Sequence, residues 1–163
     1  MRIVAALLIF PLAMACQSRP DPIPIQGDRA EMARLAGTWV GEYTGTTSGR
    51  SGSITFTLKA GTDSAFGDVL MVPTGTMNPI VPADNATEHR LHAKSPQVLQ
   101  VSFVRIAGGR VSGTLEPYVA PDCTCTVRTT FTGEVTSDVV EGTFVTRGPS
   151  GLEQAGRWRV MRR

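Results

Sequence analysis

Two cysteines separated by a single residue, Cys123-Thr124-Cys125, hold the densest potential chemistry in the 163-residue chain. Paired thiols can bridge, bind a soft metal or exchange electrons. On a flat strand, residues i and i+2 stand about 6.5 Å apart, near the upper limit for a disulfide. A Cys123–Cys125 bridge therefore needs a bent or bulged strand end, which Pro121-Asp122 can supply. A bridge strained in this way reduces more easily, so thiol-redox chemistry stays open beside a structural disulfide. His89 and His92, the two histidines of the chain, would complete a Cys₂His₂ donor set with those cysteines. If their segment is extended, however, they face opposite ways, which hinders joint ligation. No metal site is assigned.

Other polar clusters carry less. Ser48-Gly49-Arg50-Ser51-Gly52 is glycine-rich and basic, but a phosphate loop must open a helix whose N-terminus faces the anion. A strand pattern follows here, so the segment reads as a hairpin loop. Gly148-Pro149-Ser150-Gly151 reads as a turn without nucleophile-elbow spacing. Serine chemistry would also need one of the two histidines as its base, and no motif points to one. Asp68 interrupts an otherwise apolar strand and reads as an edge or mouth residue. No catalytic residue and no cofactor is assigned.

The N-terminus carries an address. Residues 1–15 hold one positive charge at Arg2, then an uncharged run ending in small residues, the organisation of a secretory signal peptide. The run is shorter than the roughly 20 apolar residues that span a bilayer, and Pro11 would break such a helix. Leu12-Ala13-Met14-Ala15-Cys16 resembles the lipobox of bacterial lipoproteins. That resemblance implies cleavage before Cys16, lipidation of its sulfur and acylation of the new amine. Several acyl chains anchor a protein stably where one does not. Gln17 stands where an aspartate usually retains such lipoproteins at the inner membrane. The implied place is the cell envelope, anchored to the outer membrane and facing the periplasm. There a disulfide is the default state of paired cysteines.

Removal of the leader leaves 148 residues, suited to one domain. Acidic and basic residues nearly cancel, at a formal net charge of +2 for the full chain, and no run of like charge occurs. A nucleic-acid partner requires clustered cations, so that class is excluded. Pro20, Pro22 and Pro24 favour an extended polyproline tether over residues 16–27, of which 17–27 reach about 30 Å at roughly 3.1 Å per residue. Asp28 then caps a short helix over 29–36, with Met32, Leu35 and Ala36 on one side and Gly37 stopping it.

From there to the end, the pattern has period two, interrupted by glycine-rich turns. Residues 38–44 place Trp39, Gly41 and Tyr43 on one face, and 53–59 place Ile54, Phe56 and Leu58 on one face. Residues 66–72 are apolar on both faces apart from Asp68, and 88–93 form a weaker strand candidate. Residues 98–106 group Leu99, Val101 and Phe103. Gly108-Gly109 supplies a two-residue hairpin turn into 110–116, with Val111, Gly113 and Leu115 inward. The longest strand puts Cys123, Cys125, Val127, Thr129, Phe131, Gly133 and Val135 on one face, and threonines, Arg128 and Glu134 on the other. Strands over 139–146 and 155–161 complete the pattern. The expected class is all-β, an antiparallel meander over residues 28–163. Closing it into an eight-stranded barrel removes the exposed edges; a flattened sandwich is the rival. Residues 73–86, with three prolines, form a long loop of the kind that serves as a lid or binding loop.

Gly37-Thr38-Trp39 after a short helix resembles the Gly-x-Trp signature of lipocalins and related small barrels. The resemblance touches both ends of the domain. It implies a barrel whose base is closed by Trp39, with an arginine beyond the last strand packed over the ring, a place Arg162 can fill. It also implies a small apolar or amphipathic ligand, or a lipid, inside. The expected partners are thus membrane lipid through the acyl anchor and a possible small apolar ligand, with no protein partner specified. Two other classes stay open. One is an interaction module with a filled core, docking through the threonine-rich face of residues 124–132. The other is a metal-binding or thiol-redox envelope protein built on the cysteine pair.

Overall fold

In the computed structural model the described residues form ten strands and one short helix. It describes residues 22–46, 48, 50–59, 64–73, 97–120, 125–149, 151 and 153–163, with 64–73 and 103 described by their backbone. In chain order they are β1 (Ile23–Gln26), α1 (Arg29–Leu35), β2 (Gly37–Gly45), β3 (Arg50–Leu58) and β4 (Ser64–Pro73). They continue with β5 (Gln97–Ala107), β6 (Arg110–Leu115), β7 (Tyr118–Ala120), β8 (Cys125–Thr136), β9 (Val139–Arg147) and β10 (Glu153–Arg162).

The fold is all-β and meander-like. Antiparallel ladders link β2 to β3, β3 to β4, β4 to β5 and β5 to β6, and further round they link β8 to β9, β9 to β10 and β10 back to β2. The sheet curls far enough for β6 to pair with β8 through Arg110–Thr114 against Glu134–Thr130. Pairing thus runs round eight strands, which leaves few exposed edges. The curl is incomplete along one seam. Four rungs hold β4 to β5, from Asp68↔Gln100 to Met71↔Gln97, and β1 occupies the gap beyond them. There β1 pairs antiparallel with β4 at Ile23↔Ala65 and parallel with β5 at Ile25↔Val104.

Strand β1 corrects the expected tether. Ile23 and Ile25 are buried while their neighbours stay exposed, so alternation outweighs the polyproline tendency of the prolines around them. The folded unit therefore begins before residue 28, and any extended tether is confined to residues upstream of Ile23. A second correction concerns β5. Its register shifts between Val101 and Phe103, a bulge that adds one residue to the strand and moves the inward face. Leu99 and Val101 lie inward before it; Ile106, of opposite parity, is buried after it. Strand β7 was also unforeseen: it lies between Pro117 and Pro121 and continues the wall of β6 along the start of β8, with Tyr118↔Val127 and Ala120↔Cys125. The strand candidate at 88–93 lies outside the described residues.

Elsewhere local chemistry and observed geometry coincide. Gly108 and Gly109 have φ of 60° and 73°, the left-handed pair that a tight hairpin twisted like its strands requires. Along β8, Val127, Thr129 and Gly133 are buried, while Thr126, Arg128, Thr130, Thr132 and Glu134 are exposed. Along β10, Gln154, Gly156, Trp158 and Val160 point inward. The core consequently lies on the inner side of the sheet, from Leu35 and Trp39 through Val140 and Val160 to Tyr43 and Trp158.

Candidate functional site

The two ends of the barrel differ in chemistry. One is sealed by α1. Trp39 is fully buried, stacks on Phe56 with ring centroids 6.0 Å apart, and donates its indole N–H to the Leu35 carbonyl at 2.8 Å. The Arg162 guanidinium lies 4.5 Å from the Trp39 ring centre, within range of a cation–π contact. It also donates to the carbonyls of Ala36 and Arg34 and to the Asp138 carboxylate. A helix leaves its last carbonyls without intrahelical donors, and Arg162 supplies donors for two acceptors at that end. Gly37 is required between them. Its φ of +127° disfavours any side chain, and a Cβ there would come within 3.1 Å of Arg162 Nη1. The structure thus brings Gly37, Trp39 and Arg162 into one cluster. Glu31 ties the helix to the β5–β6 hairpin by accepting a hydrogen bond from Gly109 N–H at 2.9 Å.

Above this base the interior holds a partly open cavity of about 140 Å³, with a wall that is mainly aliphatic and aromatic. A site for a drug-sized molecule has roughly 300–1,000 Å³, whereas an apolar cavity of about 150 Å³ holds benzene. The space suits a small apolar group.

Polar side chains gather toward the opposite end. Tyr43 comes from β2, Arg50 from the first position of β3, Tyr118 from β7, Thr129 from β8, Thr146 from β9 and Gln154 from β10, all lining the cavity. Arg50 is 4% exposed and Tyr43 is 8% exposed. Hydroxyls link part of the cluster, with Tyr118 Oη 3.3 Å from Thr129 Oγ1 and Thr129 Oγ1 2.8 Å from Thr146 Oγ1. Ser48 Oγ accepts a hydrogen bond from the Arg50 backbone N–H. The Tyr43 hydroxyl is enclosed without a hydrogen-bond partner among the described residues. Burial pushes that hydroxyl well above the ordinary phenol range, with Tyr118 adding to the rise and Arg50 opposing it, so it remains a proton donor. Burial also draws the Arg50 guanidinium below its usual value, against the effects of Tyr118 and Tyr43. Strand β4 ends here, at Pro73 opposite Arg50, and β5 begins at Gln97 opposite Met71. The long loop expected over residues 73–86 lies, beyond Pro73, outside the described residues.

The remaining sequence candidates are placed as follows. Cys16, His89, His92 and Cys123 lie outside the described residues. Cys125 opens β8 and packs against Ala120 and Val127. Asp68 sits on β4 opposite Thr55 and Gln100. Among the described residues no cluster of three or more histidine, cysteine or acidic side chains could hold a metal ion, and no helix is long and apolar enough to cross a membrane.

Sequence reasoning missed Arg50 by treating it as part of a hairpin loop. The signal was its parity. Arg50 is even-numbered like Ile54, Phe56 and Leu58, so extending that strand backwards turns the guanidinium inward. No family model matches this chain, and no curated protein matches it either.

Proposed function

We propose that the protein is a lipid-anchored protein of the bacterial cell envelope whose barrel binds a small apolar or amphipathic molecule. The observation that carries the binding role is the apolar space of about 140 Å³ inside the barrel, walled by residues such as Leu99, Val101, Leu115 and Phe131. A core packed to the usual density keeps few voids larger than a water molecule, and an apolar cavity of this size has affinity for apolar guests.

The address rests on the leader over residues 1–15 and the lipobox-like run ending at Cys16. In this reading Cys16 carries the acyl anchor at the outer membrane, facing the periplasm. With Cys16 committed to lipid, Cys123 is the remaining cysteine for Cys125, which makes the bridge Cys123–Cys125. A bridge between residues i and i+2 requires a bent or bulged strand end.

Native mass spectrometry of the protein isolated from its host without reductant tests each part. The expected result is a chain beginning at an acylated Cys16, no titratable thiol, and a co-purifying small molecule. An unprocessed N-terminus overturns the address, and two reactive thiols overturn the bridge. A barrel that neither carries nor takes up any small apolar compound overturns the binding role in favour of an interaction module.

A further inference from the structure

We propose that the barrel interior recognises a small amphipathic carboxylate, with the acid group held by the Arg50 guanidinium and Tyr43 hydroxyl and the apolar part seated in the cavity. This rests on the ligand-binding role above and specifies its chemistry.

Three observations converge. First, Arg50 and Tyr43 are each more than nine-tenths buried, and both line the same cavity. A guanidinium has donors and no acceptor, and a phenol held in its neutral form has one O–H to give. Both can donate to an acceptor that enters the cavity. Second, the described wall contributes no carboxylate of its own that would repel an incoming anion. Attraction between a cation and an anion grows as water is excluded, and the planar fork of arginine matches a carboxylate in a way that a point charge does not. Third, the Tyr43 hydroxyl makes no hydrogen bond to the described residues. An enclosed hydroxyl without a partner has a desolvation cost, which an arriving acceptor removes.

Size limits the rest of the molecule. A space of about 140 Å³ resembles one that takes a benzene ring. Long acyl chains exceed it. The expected ligand class is an aromatic or short aliphatic monocarboxylate.

Isothermal titration of the full chain with benzoate and, in parallel, with benzyl alcohol separates this proposal from the one beneath it. Benzoate should bind at least about tenfold tighter, the weight of one hydrogen bond to a charged group. Tyr43→Phe keeps the ring that meets Phe144 edge-on at 5.8 Å, and should cost benzoate about tenfold and benzyl alcohol, a neutral acceptor, less. Arg50→Lys, which keeps a charge and loses the fork, should fall between the wild type and Arg50→Met for benzoate. Equal affinity for the acid and the alcohol overturns the carboxylate proposal and leaves the apolar pocket standing. Unaltered benzoate binding by Tyr43→Phe also overturns it. Failure of both compounds to bind removes the pocket as well.

Discussion

Arg162 and Arg50 occupy opposite ends of one barrel and show what an arginine does when its surroundings are structural and when they are not. Arg162 is partly open to solvent, its side chain 29% exposed, and its donors reach two helix-terminal carbonyls and the Asp138 carboxylate while its face covers Trp39. That geometry fastens α1 across the base. Arg50 is buried at 4% exposure among tyrosine, threonine, serine and glutamine side chains, beside empty apolar space. Taking a charge out of water is costly, and at this end the cost coincides with a cavity. One end spends its polar groups on closure; the other directs them inward.

The difference can be broken from the closed end first. Trp39→Ala removes a fully buried ring, its bond to Leu35 and the surface under Arg162. Chemical denaturation should show a loss of about 3–5 kcal/mol. Arg162→Ala should cost roughly 2 kcal/mol in the same measurement, since several charge-assisted hydrogen bonds and one cation–π contact vanish together. Benzoate affinity should stay within about twofold of the wild type in Arg162→Ala, because the two ends do not share contacts. A large loss of ligand binding there would show that closure and recognition are one system.

A third change sharpens the contrast from inside. Leu115 lines the cavity, and Leu115→Phe extends a ring into the vacant space. Stability should change by less than about 1.5 kcal/mol, whereas titration with benzyl alcohol should lose most of its heat. Unchanged binding would place the guest elsewhere. The smallest effect is expected at the β5–β6 hairpin. Gly109→Ala puts a side chain at φ 73° and should destabilise by ~1 kcal/mol without touching ligand affinity.

How much of this was legible depended on whether neighbours in sequence were also neighbours in environment. Alternation at Ile54, Phe56 and Leu58, and again along Val127, Thr129 and Phe131, fixed the strands and their inward faces because each face meets one medium. The glycine pair at 108–109 specified its turn by backbone sterics alone. Strand β1 was hidden because its prolines favour a conformation that is stable without partners, and only the gap between β4 and β5, formed by residues forty and eighty positions away, makes burial of Ile23 and Ile25 worthwhile. The bulge after Val101 was invisible for a similar reason: one extra residue costs nothing locally and acquires meaning from the register with β6. The polar end of the cavity draws on six strands, so no window of sequence contains it. Tyr43 was assigned inward by its spacing from Trp39, yet its relation to Arg50 exists only once β2 and β3 are paired.

Strand β1 gives the molecule a mechanical axis. Any tension transmitted through the N-terminus arrives at Ile23 and pulls along a four-residue strip lying alongside β5 and against β4. Force directed along a strand shears its cross-links together instead of opening them one after another. The same strip fills the place where the two neighbouring strands part. A pull strong enough to extract it would unplug the wall beside the core, so the point of attachment and the integrity of the container are coupled by a single short ribbon.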